Sequence, residues 1–216
     1  YDASTASYDS VSFSVSAQIT TPYGMTFSSD GSKMYIVSLS EDAVYQYTLS
    51  TNFDLSTASY LQNFSVAAQD STPIGIAFST DGTKMFVVGN TGRDVNEYTL
   101  STGFDVSTAS FVDSFSVSAQ ESSPHGITFN TDGTKMFVAG IAGDDVNEYT
   151  LSTGFDVSTA SFVDSFSVAS QDVTPRDVVF NNTGSKMFVL GAGNNSVFQY
   201  SVGTTSYTNQ MDKTQL

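Results

Sequence analysis

Cysteine is absent from all 216 residues. That removes disulfides, thiolate nucleophiles and cysteine-ligated zinc together. Histidine occurs once, at His125, so no histidine cluster can hold zinc or iron. Basic residues are scarce: 7 Lys and Arg stand against 22 Asp and Glu, for a formal net charge of −15. A field of that sign repels phosphate backbones and anionic lipid, which argues against nucleic acid as a partner. No apolar run approaches the ~20 residues of a membrane span, so no membrane insertion is expected. No stretch keeps a helical period. P-loop, dinucleotide and D-x-D-x-D-G calcium fingerprints are missing, and so is a Ser-His-Asp elbow.

What is present is repetition. The segment TPYGMTFSSDGSKMYIV from Thr21 returns as TPIGIAFSTDGTKMFVV from Thr72, SPHGITFNTDGTKMFVAG from Ser123 and TPRDVVFNNTGSKMFVLG from Thr174. Pro22, Pro73, Pro124 and Pro175 are 51 residues apart, and Lys33, Lys84, Lys135 and Lys186 keep the same step. So do Tyr47, Tyr98, Tyr149 and Tyr200. Each unit parses into four short strands. Strand A ends at Phe27 or its equivalents, and a DGSK or DGTK hairpin follows, where glycine accepts positive φ. Strand B is KMYIV or KMFVV. A variable Gly/Asn/Asp loop leads to strand C, as in DVNEYTL, and the STGFDVSTAS connection leads to strand D, as in FVDSFSV.

Four antiparallel strands in about 50 residues make one propeller blade. The predicted fold is all-β: a four-bladed β-propeller of four-stranded antiparallel blades, in one domain over residues 1–202. The blades run at about 21–69, 72–120, 123–171 and 174–202, with residues 203–216 as a C-terminal tail. Tyr8 to Gln18 aligns Phe13 with Phe64, Phe115 and Phe166. This stretch, strand 8–18, is expected to complete the last blade and close the ring, removing exposed sheet edges. The tail Thr204 to Leu216 contains TTSY, similar to STASF, and is the other candidate for that strand, which would free strand 8–18 to pair with another molecule. The rival to the closed ring is a homodimer of two such chains in an eight-bladed ring. With repeat sequence already in the first residues and no signal peptide visible, the chain reads as a mature or excised piece of a longer one.

The G-x-x-F-S-x-D-G-x-K-M-[FY]-V-V pattern followed by DVNEYTLST resembles the YVTN-type and related surface-protein propeller repeats, over Tyr8 to Val202. The resemblance implies a propeller at a cell surface, in the extracellular space or on a virion, in bacterial or phage-associated proteins. Activity has to be argued from a site, because propellers host lectins, lyases, lactonases and scaffolds.

The copies diverge on one face, formed by the D–A and B–C loops. After each repeated proline stand Tyr23, Ile74, His125 and Arg176, predicted as a ring at the channel mouth beside Gly24, Gly75, Gly126 and Asp177. Tyr23, His125, Arg176, Arg93 and Asp177 are the candidate ligand-binding residues, for a glycan or a surface protein. Unrestrained loop drift accounts for the same one-sidedness. No cofactor is required. Calcium or another cation has two candidate places, the B–C loop carboxylates Asp144 and Asp145 and the carbonyls of the central channel. The repeated lysines are read as solvated or paired with nearby Asp, and the Phe and Tyr rows as filling between blades. The main functional expectation is a non-catalytic binding or structural module for adhesion or carbohydrate binding. A polysaccharide lyase or other propeller enzyme using the channel-mouth residues Tyr23, His125 and Arg176 is the alternative, and a pure scaffold or oligomerisation module the other.

Overall fold

The computed structural model describes residues 7–203. Within them every repeat forms an antiparallel sheet with its strands in chain order. The first holds β1 (Pro22–Phe27), β2 (Lys33–Ser38), β3 (Ala43–Leu49) and β4 (Ala58–Ser65). The second holds β5 (Pro73–Phe78), β6 (Lys84–Gly89), β7 (Asp94–Leu100) and β8 (Ala109–Ser116). The third holds β9 (Pro124–Phe129), β10 (Lys135–Gly140), β11 (Asp145–Leu151) and β12 (Ala160–Ser167). The fourth has three strands among the described residues: β13 (Pro175–Phe180), β14 (Lys186–Gly191) and β15 (Ser196–Ser201). The all-β propeller read from the repeat is thus the architecture observed.

The A–B hairpin shows why its glycine is required. Gly82 has φ +70°, and a Cβ there would lie 2.3 Å from the ring of Phe104. Gly31 meets Phe53 and Gly133 meets Phe155 in the same way. Those phenylalanines, themselves at positive φ, lay the C–D connection over the hairpin of their own blade. The connection then reaches the preceding blade. The Phe104 carbonyl accepts from Lys33 Nζ at 2.9 Å, from the Tyr35 hydroxyl at 2.6 Å and from Gln46 Nε2 at 3.2 Å. One interface later, Lys84 donates to the Phe155 carbonyl at 2.8 Å and pairs with the buried Glu97, which accepts from Val157 N. Lys33 and Lys84 are therefore inter-blade ties. They were read as solvated or Asp-paired because their true partners are backbone carbonyls, which leave no mark in a sequence.

Apolar rows fill the gaps between sheets. Tyr35, Val37 and Val44 pack on Ile76, Met85, Val87 and Tyr98. Phe86, Val88 and Val95 pack on Ile127, Met136, Val138 and Tyr149, and Ala139 and Val146 on Val178, Met187 and Val189. The second and third blades thus bury one face against the predecessor and the other against the successor, the arrangement that removes most apolar area from water.

The inner strands touch in series, β1 to β5, β5 to β9 and β9 to β13, and no contact of that extent joins β13 to β1 among the described residues. Leu190 and Val197 on the fourth blade are 46% and 58% exposed, whereas their equivalents Ala139 and Val146 are buried. At the other end Met25 is 55% exposed where Ile76, Ile127 and Val178 are buried. The four blades form an arc with two uncovered faces. Residues 8–18 correct the expected closure: they form no strand of the fourth sheet, and Phe13 packs on Tyr47 of the first blade. The physical reason is curvature: β13 and β1 do not meet among the described residues, so a segment seated on the first blade as a preceding blade's fourth strand would be is out of reach of β15. Phe13–Tyr47 (5.5 Å, 79°) reproduces Phe64–Tyr98 (5.6 Å, 81°) and Phe115–Tyr149 (5.5 Å, 78°). Most of the predicted C-terminal tail, residues 204–216, lies outside the described residues.

Candidate functional site

The face bearing the D–A and B–C loops is organised by buried acids. Asp70 accepts from Thr72 N at 2.6 Å and from Gly92 N at 2.8 Å, so that one carboxylate ties the D–A loop to the B–C loop. Glu121 does the same with Ser123, Ala142 and Gly143, and Asp172 with Thr174, Gly193 and Asn194. A carboxylate satisfied by backbone N–H groups offsets its own desolvation. The space it needs explains Gly89, Gly140 and Gly191, where a Cβ would lie within 2.2–2.4 Å of the acid. The first repeat departs as a unit. Ile19 takes the acid's position, Ser38 takes the glycine's, and Glu41 reaches back from the B–C loop to Thr20 and Ser38. Sequence reasoning missed this clamp. The linked exchange at residues 19 and 38 was the available signal.

Among the predicted site residues, the structure brings His125 and Arg176 together. His125 is 4% exposed. Its Nδ1–H donates to the Ser123 carbonyl at 2.9 Å, which leaves Nε2 as acceptor for Arg176 Nη1, in close contact. Burial first, and then the guanidinium charge, push the imidazole below its ordinary pKa. Both ring nitrogens are engaged, so His125 aims Arg176 and has no lone pair left for substrate. Arg176 forms no ion pair with a carboxylate among the described residues.

Asp177 follows directly on β13. It stands where the other three repeats have Gly24, Gly75 and Gly126. There the next inner strand passes so close that a Cβ would lie 2.3–2.6 Å from its backbone. Among the described residues no further inner strand follows β13, and the side chain fits. Its Oδ1 accepts from Val178 N at 2.9 Å, and burial raises its pKa to about 6. Asp177, Ile76, Ile127 and Thr128 line the inner wall of a cleft of about 1310 Å³. The outer part of that cleft, at Lys135, Phe137 and Glu148, matches the berth that the Phe104 and Phe155 connections fill in the earlier interfaces.

The remaining candidates lie apart. Tyr23 is exposed at the uncovered end of the first blade. Arg93 and Asp144 occupy one equivalent left-handed position of the B–C loop, at φ 52° and 50°, and their carbonyls accept from Val117 N and Val168 N. That position is a backbone device whatever side chain it carries. Asp145 accepts from Asn147 Nδ2 at 2.7 Å, and burial raises its pKa. Among the described residues no three His, Asp or Glu side chains are grouped to hold a metal ion.

A family model described as lactonase, seven-bladed β-propeller, matches residues 19–215. The chain belongs to that family. The expectation of a non-catalytic surface or adhesion module, with no enzyme activity, is overturned by this match, because the family is one of enzymes by its description. Acidic composition misled the reading, because net charge reports the whole surface and not one site. Of the resemblance drawn from the repeats, the propeller part is supported.

No curated protein matches the chain. Among solved structures, it resembles a candidate 6-phosphogluconolactonase from Bacteroides fragilis with a TM-score of 0.60 and 16% identity, covering 84% of this chain and 51% of that one. A Lactobacillus plantarum protein gives 0.61 and 16%, covering 86% and 52%. A second candidate 6-phosphogluconolactonase, from Bacteroides uniformis, gives 0.59 and 15%, covering 84% and 50%. The likeness is one of fold, and the chain spans about half the length of these structures.

Proposed function

We propose that the chain opens a lactone by hydrolysis at the channel mouth, with Asp177 as general base and Arg176 as the group that stabilises the carbonyl oxygen. The observation that carries this reading is a nearly buried carboxyl held near pH 6, next in sequence to a guanidinium with no carboxylate partner. A base with that pKa is half ionised at pH 6 and mostly ionised at neutrality, yet basic enough to take a proton from water. Water adds to the lactone carbonyl carbon as Asp177 accepts its proton, and negative charge grows on the carbonyl oxygen facing Arg176. The ring C–O bond then breaks, the ring oxygen takes up the proton, and a hydroxy acid leaves. His125 is a positioning residue. The overall charge of −15 repels the carboxylate product. Membership of the lactonase family supports the reaction class, and the names of the Bacteroides structures supply sugar lactones as the substrates to try first.

The test is acid release from glucono-δ-lactone, followed by pH-stat against buffer. A rate above background, rising through pH 6 and lost in Asp177→Asn and Arg176→Ala, is expected. Wild-type release no faster than buffer, or an unaffected Asp177→Asn, sinks the reading.

A further inference from the structure

We propose that two copies of this chain close one eight-bladed ring by exchanging residues 8–18, each copy completing the other's fourth blade. The inference goes beyond the lactonase reading and does not depend on it. Three observations carry it. Among the described residues the fourth sheet ends at β15, Ser196–Ser201, where every other sheet has a fourth strand. Residues 8–18 carry the sequence of that missing strand and sit on the first blade where a preceding blade's fourth strand would lie, as the Phe13–Tyr47 geometry shows. The uncovered faces at the two ends are also the two halves of the interface made three times inside the chain. Phe188, Leu190 and Val197 stand where Tyr35, Val37 and Val44 pack on their successor.

Curvature selects a second copy over closure within one chain. The arc superposes over about half of proteins of seven-bladed size. Four blades at the pitch of an eight-bladed ring sweep about 180°, so two arcs at that pitch meet around one axis. The exchange is isologous and removes both open edges at once. At each junction Asp177 stands where the other repeats have glycine, and it holds those two inner strands further apart than the rest. Tyr23 of the second copy then completes the channel mouth.

The register of the exchanged pair follows from the repeat. Ala43 pairs with Ser65, Asp94 with Ser116 and Asp145 with Ser167, and the same step places Ser196 opposite Ser14. The chain has no cysteine, so Ser14→Cys/Ser196→Cys introduces the sole thiols, at positions near enough to bridge if the strands pair. The expected result is a mass in solution of twice 23.0 kDa for the unsubstituted chain. On a non-reducing gel the double variant then runs as a covalent dimer that reductant collapses to one chain. Leu190→Asp/Val197→Asp, placed on a face exposed in the single chain, gives monomers with an unchanged β spectrum. Three results overturn the proposal. A single-chain mass in solution does so, and so does an internally bridged monomer, which would mean a four-bladed ring closed within the chain. A dimer that does not cross-link through this pair means that the copies meet elsewhere.

Discussion

Replacing Asp177 by Asn should stabilise the protein above pH 6 and do nothing at pH 4. The carboxyl has one backbone N–H and no cation within reach, and burial lifts its pKa from 3.8 to about 6. The unfolded chain therefore loses this proton about two pH units before the folded chain does. Between pH 4 and 6 the unfolded state becomes progressively favoured, and above 6 the full penalty stands. Two units correspond to about 3 kcal/mol. In a chain of this size that is a melting shift of very roughly 6–12 °C. Asn keeps the shape and can still accept from Val178 N, so the comparison removes the charge and little else. The assay is thermal unfolding of both proteins at matched concentration, from pH 4 to 8. The difference in Tm should be near zero at pH 4, open between 4 and 6 and then plateau. A difference flat with pH, or one favouring Asp177 at pH 8, refutes the burial argument and with it the general base. The variant should also be inactive, so the residue that lowers stability would be the one that carries activity.

Gly82→Ala should cost about 1–3 kcal/mol, since it forces a side chain into positive φ and onto the Phe104 ring; an unchanged urea midpoint would show that the connection yields freely. Asp30 is held near a pKa of about 2 by the Ser32 N–H and by the Ser28 and Ser32 hydroxyls, and Asp81 and Asp132 are lowered in the same turn. These groups therefore stabilise the fold above their unfolded pKa near 4, and that contribution fades as pH falls towards 2. Asp81→Asn should flatten the acid limb of stability between pH 4 and 2, and a limb as steep as wild type would remove these turns from the account. Gly89→Ser should cost a few kcal/mol, because its Cβ meets the Asp70 carboxylate at 2.2 Å. The reverse exchange in the first repeat, Ser38→Gly, should cost far less, and equal losses would dismiss the clamp as the reason for glycine.

The strands were legible because strand B, strand C and the DG hairpin announce themselves locally: alternating Val and Tyr, and a glycine that the turn requires. The ring's curvature was not. It is set where Gly24, Gly75 and Gly126 let neighbouring inner strands approach, and contact between elements 51 residues apart has no local signature. The side chain of Phe13 was aligned correctly with its repeat partners, but alignment does not say which neighbour it seats on. His125, Arg176 and Asp177 stood out in the sequence as candidates because they break the pattern. Their surroundings did not, since the engagement of both imidazole nitrogens and the burial of Asp177 are tertiary facts.

A repeat protein holds its own control for reading such breaks. At residues 19, 38 and 41 the first copy departs from the others, but the three changes answer one another: the acid is lost, its glycine becomes serine, and a glutamate of the B–C loop accepts from Thr20 and from that serine, tying the same two loops by other bonds. A linked set of this kind restores the structure and needs no function. The change from glycine to Asp177 is different. It places a carboxyl where burial penalises its charge, and neither a cation nor a second N–H is supplied in return. Beside it the change to Arg176 adds a guanidinium tethered by a buried histidine and left without a carboxylate. Two departures at adjacent positions, one that buries a charge without a cation and one that leaves a guanidinium tethered to a buried imidazole, with no compensating partner for either among the described residues, set this blade apart from the first and make it the place to test for activity.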